Sequence, residues 1–429
     1  MNTAADTRPA SGVTGRNAFV VVALVFVSLL VAAGVRSAPG VLILPLEQNF
    51  GWPRGVISAA AALGIFLYGL VGPFAAALMQ GFGVRRTLMG GLLFMSVAAL
   101  LSSFMTQSWQ LIATWGVLSG LGTGCVSIVL GGTIVNRWFV KRRGLMMGLL
   151  TASMATGTLI FLPAFAALAT SSGWRSVVYA IAAVTALMIP LVWRWLPEWP
   201  SDVGAVAYGA SDDSYERSAR EHRGHPLQLA FGALGRAVGH RDFWLLFGTF
   251  FVCGFTTNGL VGTHLIAFCG DHGITEVRAA SLLAVMGVFD LVGTTLSGWL
   301  TDRFDSRKLL FVYYGLRGLA LVFLPYSDFS VYALGAFTVF FGLDWVATVP
   351  PTLRLATRAF GERDAPIVFG WVVAGHQMGA ASAALLAGLL RSALGSYTLA
   401  FAIAGFTGLA AAVMALLIAV RPAHRPVGA

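Results

Sequence analysis

The stretch Ser281-Leu-Leu-Ala-Val-Met-Gly-Val-Phe-Asp290-Leu-Val-Gly-Thr-Thr-Leu-Ser-Gly298-Trp-Leu-Thr-Asp302-Arg303-Phe-Asp305-Ser-Arg307-Lys308-Leu-Leu-Phe-Val-Tyr-Tyr-Gly-Leu-Arg317 contains the plan of the whole chain. Two apolar runs flank a loop of a few residues in which most of the charge is concentrated. A hydrocarbon core of about 30 Å is crossed by about 20 helical residues, so the first run, and the second once continued to Tyr326, are long enough to span it. The alternation recurs throughout the 429 residues, of which 57% are apolar and 11% charged. Soluble domains average about 45–50% and about 25%. So few charges cannot coat a water-facing surface, and the mean hydropathy is +0.79. A soluble enzyme, a disordered chain and a disulfide-stapled secreted module are excluded. A polytopic, all-α membrane protein remains.

Twelve crossings are expected, at 18–46, 55–79, 86–105, 109–136, 143–169, 174–196, 243–269, 277–301, 308–326, 329–353, 365–391 and 396–420. Several exceed the minimum length, which implies tilt or kinking, with Pro39, Pro45 and Pro163 as candidate kink sites. The first sixteen residues are polar and carry Arg8 and Arg16, so the first apolar run reads as a retained anchor. Of the 28 Lys and Arg residues, only Arg54, Arg175, Arg278 and Arg391 fall in odd-numbered connections. By the positive-inside bias both termini are cytoplasmic, the tails being 1–17 and 421–429. Residues 197–242 form one long polar connection, with a mixed-charge run from Ser211 to Arg223. It reads as a solvated cytoplasmic linker between a first six-helix bundle, 18–196, and a second, 243–420. Such a six-plus-six layout suits two pseudo-repeated bundles around a central pathway.

The net charge of +10 is spread over short clusters between apolar runs, which argues for orientation in a lipid bilayer and against nucleic acid. Cys125, Cys253 and Cys269 lie in apolar segments without metal-ligand spacing and read as buried small hydrophobes. No cofactor is expected. Glycine runs such as Gly116–Gly120 and Gly120–Gly124 follow no strand and precede no phosphate-binding lysine, so they read as close-approach surfaces between helices.

Between Gly298 and Lys308 the chain follows the pattern G-x-x-x-D-R-x-x-x-R-[KR]. This resembles the cytoplasmic loop motif of the major facilitator superfamily. The resemblance implies a lock in which Gly298, Asp302, Arg303, Arg307 and Lys308 cap helix ends and pair across the bundle. The corresponding place in the first half reads Ala76-Ala-Leu-Met-Gln80-Gly81-Phe-Gly-Val-Arg85-Arg86, where only the basic pair Arg85 and Arg86 is kept. Finer resemblance lies between spans 4 and 5, at Asn136-Arg137-Trp138-Phe139-Val140-Lys141-Arg142-Arg143-Gly144-Leu145. With Gly173-Trp174-Arg175, Arg36-Ser37 and Asp290, this is similar to the monocarboxylate porter family and its bacterial relatives. Two positions depart from that family: Thr294 stands where an arginine often follows the span 8 aspartate, and Val126-Ser127-Ile128 stands where bacterial members often carry a tyrosine.

Ionisable groups within a span cost several kcal/mol unless paired or wetted, so they are the default site candidates. Arg36 either grips a carboxylate or reaches outward to the headgroups. Arg317 replaces the missing span 8 cation or pairs with Asp290 or Asp344. Asp290 is the foremost proton carrier, with Asp344 as the second carboxyl. His376, Asn258 and Tyr68 are expected to hydrogen-bond substrate or to tie helices together. His264, near the end of span 7, is a gate or a packing residue. These residues predict a monomeric secondary transporter of the bacterial cytoplasmic membrane. It would move a small organic anion, most readily a monocarboxylate, together with protons by alternating access. Drug efflux is the alternative within transport: Gly148 and Gly157 have an antiporter-like spacing, although Phe161-Leu162-Pro163 replaces the expected Gly-Pro step. A transporter-like sensor is the alternative outside transport.

Overall fold

The structure is a computed structural model and describes residues 11–211 and 226–419. Among the described residues, twelve helices are long and apolar enough to cross a membrane: Arg16–Phe50, Arg54–Gly72, Val84–Ser102, Ser108–Trp138, Leu145–Ser172, Trp174–Trp195, Arg241–Asp271, Glu276–Arg303, Ser306–Tyr326, Val331–Gly361, Asp364–Leu394 and Thr398–Leu416. They are spans 1 to 12 below. The bundle end where span 1 begins and span 12 finishes is the proximal face, and the other is the distal face. Among the described residues no strand forms, and only a single parallel bridge joins Phe139 to Tyr208.

The order of the elements matches expectation because each apolar run is forced to satisfy its own backbone in lipid. The irregularities are less predictable. Span 1 stays helical through Pro39 and Pro45, and span 5 stays helical through Pro163. The interruptions lie elsewhere. Span 4 contains a π-helical stretch, Ile112–Leu118, and then breaks at Val126 (φ −108°, ψ 58°) and Ser127 (φ −110°, ψ 179°). Span 7 carries the π-helical stretch Phe255–Val261. Span 10 stops at Asp344 and resumes as a helix at Val349, just before Pro350 and Pro351. The two prolines remove the N–H groups that would bond the carbonyls of Val346 and Ala347, four residues earlier.

Small residues bring the helices close. A Cβ on Gly120 would stand 3.0 Å from the Cα of Gly64, and one on Gly122 would stand 2.8 Å from the Gly91 carbonyl oxygen. Spans 2, 3 and 4 therefore touch backbone to backbone.

The connection between the halves departs from a purely solvated linker. Its first part folds back on the first bundle: Trp199, Ala205 and Ala207 are buried, and the amides of Val140 and Lys141 donate to the Tyr208 carbonyl. Its last part is the helix Pro226–Ala237, which buries Ala233 and Ala237 against the second bundle. A small-residue stripe seats this helix, a signal weaker than the charge around it. Most of the run from Ser211 to Arg223 lies outside the described residues.

Candidate functional site

Arg36 lies in span 1, one turn before Gly40, where a Cβ would stand 3.1 Å from the Gly262 carbonyl oxygen of span 7. Tyr68, in span 2, precedes Gly69, whose missing side chain admits Gln377 of span 11. The two halves thus meet one turn from Arg36 and one residue from Tyr68. The guanidinium carbon stands 4.9 Å from the Tyr68 ring centroid. A small cavity lies around them, walled by Leu29, Ala32, Thr123, Val126 and Met154. Among the described residues Arg36 makes no ion pair and no side-chain hydrogen bond. The first bundle offers it little choice, because residues 18–196 contain one acid, Glu47. Glu47 is taken by Arg54 at 2.7 Å.

Arg317 has the opposite surroundings. It is 1% exposed, and its Nε donates to Asp344 at 2.6 Å. Its Nη2 donates to the carbonyl oxygens of Asp344 and Trp345, and its Nη1 donates to Cys253 Sγ at 3.2 Å. The guanidinium therefore ties off the broken end of span 10. The Ala347 carbonyl, left without a partner by Pro351, accepts from Ser297 Oγ. The Val346 amide donates to Asp290 Oδ1 at 3.0 Å. Spans 8 and 9 thus bond several of the groups freed by this break, and the Val346 carbonyl accepts from the Val349 amide of span 10 itself.

Asp290 is half-buried, and its Oδ1 also accepts from Thr294 at 3.0 Å. Thr294, which occupies the place of the missing arginine, is thus bonded to the neighbouring carboxylate. Asp290 makes no ion pair among the described residues. Asn258 lies partly exposed in the π-helical stretch of span 7. His376 packs against Phe250, with ring centroids 5.1 Å apart, and its Nδ1 is buried without a hydrogen-bond partner. Tyr68, Asn258, Asp290 and His376 are all partly accessible in mid-span, whereas Arg317 and Asp344 are enclosed.

The loop residues form local contacts. Asp305 accepts from the Arg307 amide and guanidinium and opens span 9, and this arginine holds its carboxyl below the usual carboxylate range. Asp302 is exposed and lies 3.9 Å from Arg354. Arg303 stacks 4.0 Å over Trp299, and Lys308 is exposed beyond Gly298. In the first half, Arg85 and Arg86 line a cleft of about 370 Å³ with Arg137 and Glu198. Glu198 accepts from the Val84 and Arg85 amides and from Arg137, so a carboxylate after span 6 caps the start of span 3. At the proximal face, the ion pairs among the described residues stay within one half or join the linker helix to the second.

A set of contacts that does cross between the halves lies at the distal face, where hydropathy and motif carry no direct sign of it. Arg54 is buried and bridges Glu47 to Asp271, which is 2.9 Å away in the second half. Asp271 also accepts from Arg391 at 2.8 Å. Ser392 Oγ accepts from the Gly55 amide at 2.9 Å. His264 bonds the Tyr397 hydroxyl and the Ala384 carbonyl beneath this cluster. Asp271→Asn leaves two arginines facing each other without their carboxylate. Only the Arg54–Asp271 pair crosses between the halves, and at up to about 1 kcal/mol its loss should let the distal face open up to about fivefold more often. The check is the rate at which a Ser392→Cys thiol reacts with a maleimide. An unchanged rate would remove the lock from this cluster.

Comparison with known proteins agrees with this architecture. The sequence model of the Major Facilitator Superfamily matches residues 24–363 and 270–429. An uncharacterised MFS-type transporter of Bacillus subtilis, YcxA, is 25% identical over 393 residues, covering 86% of this chain and 88% of its own. Monocarboxylate transporter 13 of Bos taurus is 29% identical over 395 residues, covering 90% and 85%. The xylose transporter XylE of E. coli, in a partially occluded inward-open conformation, superposes with a TM-score of 0.71 at 14% identity, over 96% of this chain and all of that one. A bacterial homologue of the lysosomal transporter Spinster, inward-facing and unoccupied, gives 0.72 at 16% identity, over 94% and 95%. With its twelve spans in two sets of six, the chain belongs to the major facilitator superfamily and is a membrane transporter.

Proposed function

We propose that the chain carries small organic anions, foremost monocarboxylates, across the bacterial cytoplasmic membrane by alternating access coupled to protons. One observation carries this reading: Arg36 is a mid-span guanidinium with no acid to pair with among the described residues. A permanently charged group at that depth is costly unless a counter-charge or water reaches it, and a carboxylate ligand supplies both charge and two acceptors. Tyr68 presents its ring beside the guanidinium, and in this reading Asn258 of the second half supplies neutral hydrogen bonds to the anion. Similarity to the monocarboxylate transporters supports the same substrate class.

Asp290 is the proton carrier in this reading. It has a half-buried carboxylate, two hydrogen-bond donors and no ion pair among the described residues, so its protonation breaks no salt bridge. The distal ion pairs between the halves, which no ion pair among the described residues matches at the proximal face, support reading this as a state open toward the cytoplasm, with both termini on that side.

The test is uptake of radiolabelled acetate, lactate and pyruvate into proteoliposomes, with and without an inward proton gradient. Uptake by the intact protein should rise with the gradient. Asp290→Asn should abolish the gradient-driven component while leaving carboxylate exchange between loaded vesicles. Folded protein that moves none of the three sinks the monocarboxylate reading.

A further inference from the structure

Span 10 breaks in mid-membrane over residues 345–348, and among the described residues three side chains hold the break. Arg317 donates to the carbonyls of Asp344 and Trp345, and Ser297 donates to that of Ala347. Asp290 accepts from the Val346 amide at 3.0 Å. A guanidinium keeps its proton in proteins and a serine hydroxyl carries no charge. Asp290 is therefore the one tether of the three whose charge can change.

Span 8 meets the break along a single stripe. A Cβ on Gly293 would fall on the Leu343 carbonyl oxygen, and one on Gly342 would stand 2.8 Å from the Met286 carbonyl oxygen. Met286, Asp290, Gly293 and Ser297 follow one another by four, three and four residues, the spacing of one helix face. The two backbones touch along this face, and Ser297, 1% exposed, pins the peptide next to the Val346 amide.

The two oxygens of the Asp290 carboxylate differ. Oδ1 accepts from both Thr294 and Val346, while Oδ2 has no hydrogen bond among the described residues. Oδ2 is thus the oxygen free to take a proton. Protonation there turns both bonds on Oδ1 from charge-assisted into neutral ones, about half as strong. The other titratable groups around the break do not bond Asp290. Arg317 and Asp344 bond each other, Cys253 accepts from Arg317 Nη1, and His376 packs on Gly254. Span 5, which packs along span 8, has no titratable side chain between Gly144 and Ser172.

We infer that the Val346 amide reads the protonation of Asp290, so that the break in span 10 tightens on the ionised carboxylate and loosens on the neutral one. Ser297 is the positioning residue that keeps the amide within reach. This rests on Asp290 as the proton carrier and adds the element that its proton moves, the proximal part of span 10 over residues 349–361. By linkage, a motion that frees the amide raises the proton affinity of Asp290 in return.

The test is hydrogen exchange of the full chain in nanodiscs, read by mass spectrometry on fragments covering 345–349 and expressed relative to unstructured peptide at each pH. Protection in the wild type should fall roughly five- to tenfold as the pH is lowered through the titration of Asp290, the factor between a charge-assisted and a neutral bond. Asp290→Asn should sit at the lower level at every pH. Thr294→Val, which removes the other donor from Oδ1, should keep the step. Ser297→Ala should lose it, and gradient-driven lactate uptake by this variant should fall about tenfold while exchange between loaded vesicles persists. A serine that only packs would lower the melting temperature and leave the step intact, which overturns its positioning role. Protection that is flat with pH in the wild type, or wild-type protection in folded Asp290→Asn, overturns the inference even where Asp290→Asn abolishes gradient-driven uptake. If the step follows Asp290 but gradient-driven uptake survives Asp290→Asn, the tether stands and the proton-carrier reading falls.

Discussion

Arg36→Gln is expected to lower carboxylate uptake about 100-fold while leaving the protein folded. Two charge-assisted hydrogen bonds to a carboxylate are together worth about 3 kcal/mol or more, and each 1.4 kcal/mol is a factor of ten. Folding should not suffer, because the guanidinium has no acid partner to abandon and stacks only against Tyr68. Arg36→Lys keeps the charge but loses the planar fork, so uptake should fall about tenfold, between the wild type and glutamine. Saturation kinetics in proteoliposomes distinguishes the outcomes. Uptake within twofold of wild type in Arg36→Gln would show that the anion binds elsewhere and that Arg36 merely reaches for headgroups.

Asp344→Leu should act on stability instead. It leaves Arg317 charged, almost wholly enclosed and without its carboxylate, a situation that costs about 3–5 kcal/mol in buried ion pairs. Arg317→Met removes the cation but strands Asp344 and uncaps the carbonyls at the span 10 break. The double variant Arg317→Met/Asp344→Leu strands no charge, so its loss should be well below the sum of the singles. It should remain less stable than wild type, because the Asp344 and Trp345 carbonyls lose the Arg317 Nη2 donor. Thermal unfolding of the four purified proteins closes the cycle. Additive losses would mean that the two side chains do not act as a pair.

These contrasting arginines show what a sequence reveals and what it conceals. The twelve spans were legible because hydropathy is a local property and twenty residues are enough to display it. The division into halves was legible from one long polar connection. The break in span 10 was marked by Pro350 and Pro351, although kinks were expected only at Pro39, Pro45 and Pro163. The break in span 4 was not, since Val126-Ser127 has no proline and becomes a break only where Gly122 and Gly124 press against spans 3 and 2. Arg36 and Arg317 look alike in sequence, each a lone cation in an apolar run. Their partners are decided by packing, with Asp344 placed against Arg317 from 27 residues away and nothing acidic placed against Arg36. The distal cluster was hidden for the same reason. Arg54 and Arg391 were visible only as exceptions to the charge bias, and Asp271 joins them from a third loop.

The separation of Arg36 and Asp290 into different halves has an electrical consequence. An empty carrier holds one guanidinium and one ionised carboxylate, which sum to zero. In the proposed cycle a loaded carrier holds the guanidinium, the bound anion and a protonated Asp290, which again sum to zero. The membrane voltage acts on net charge, at about 2.3 kcal/mol per elementary charge per 100 mV. It therefore finds nothing to push on in either direction. A carrier built this way is driven by the chemical gradients of its cargo and of protons, and a polarised cell can run it inward or outward as those concentrations dictate.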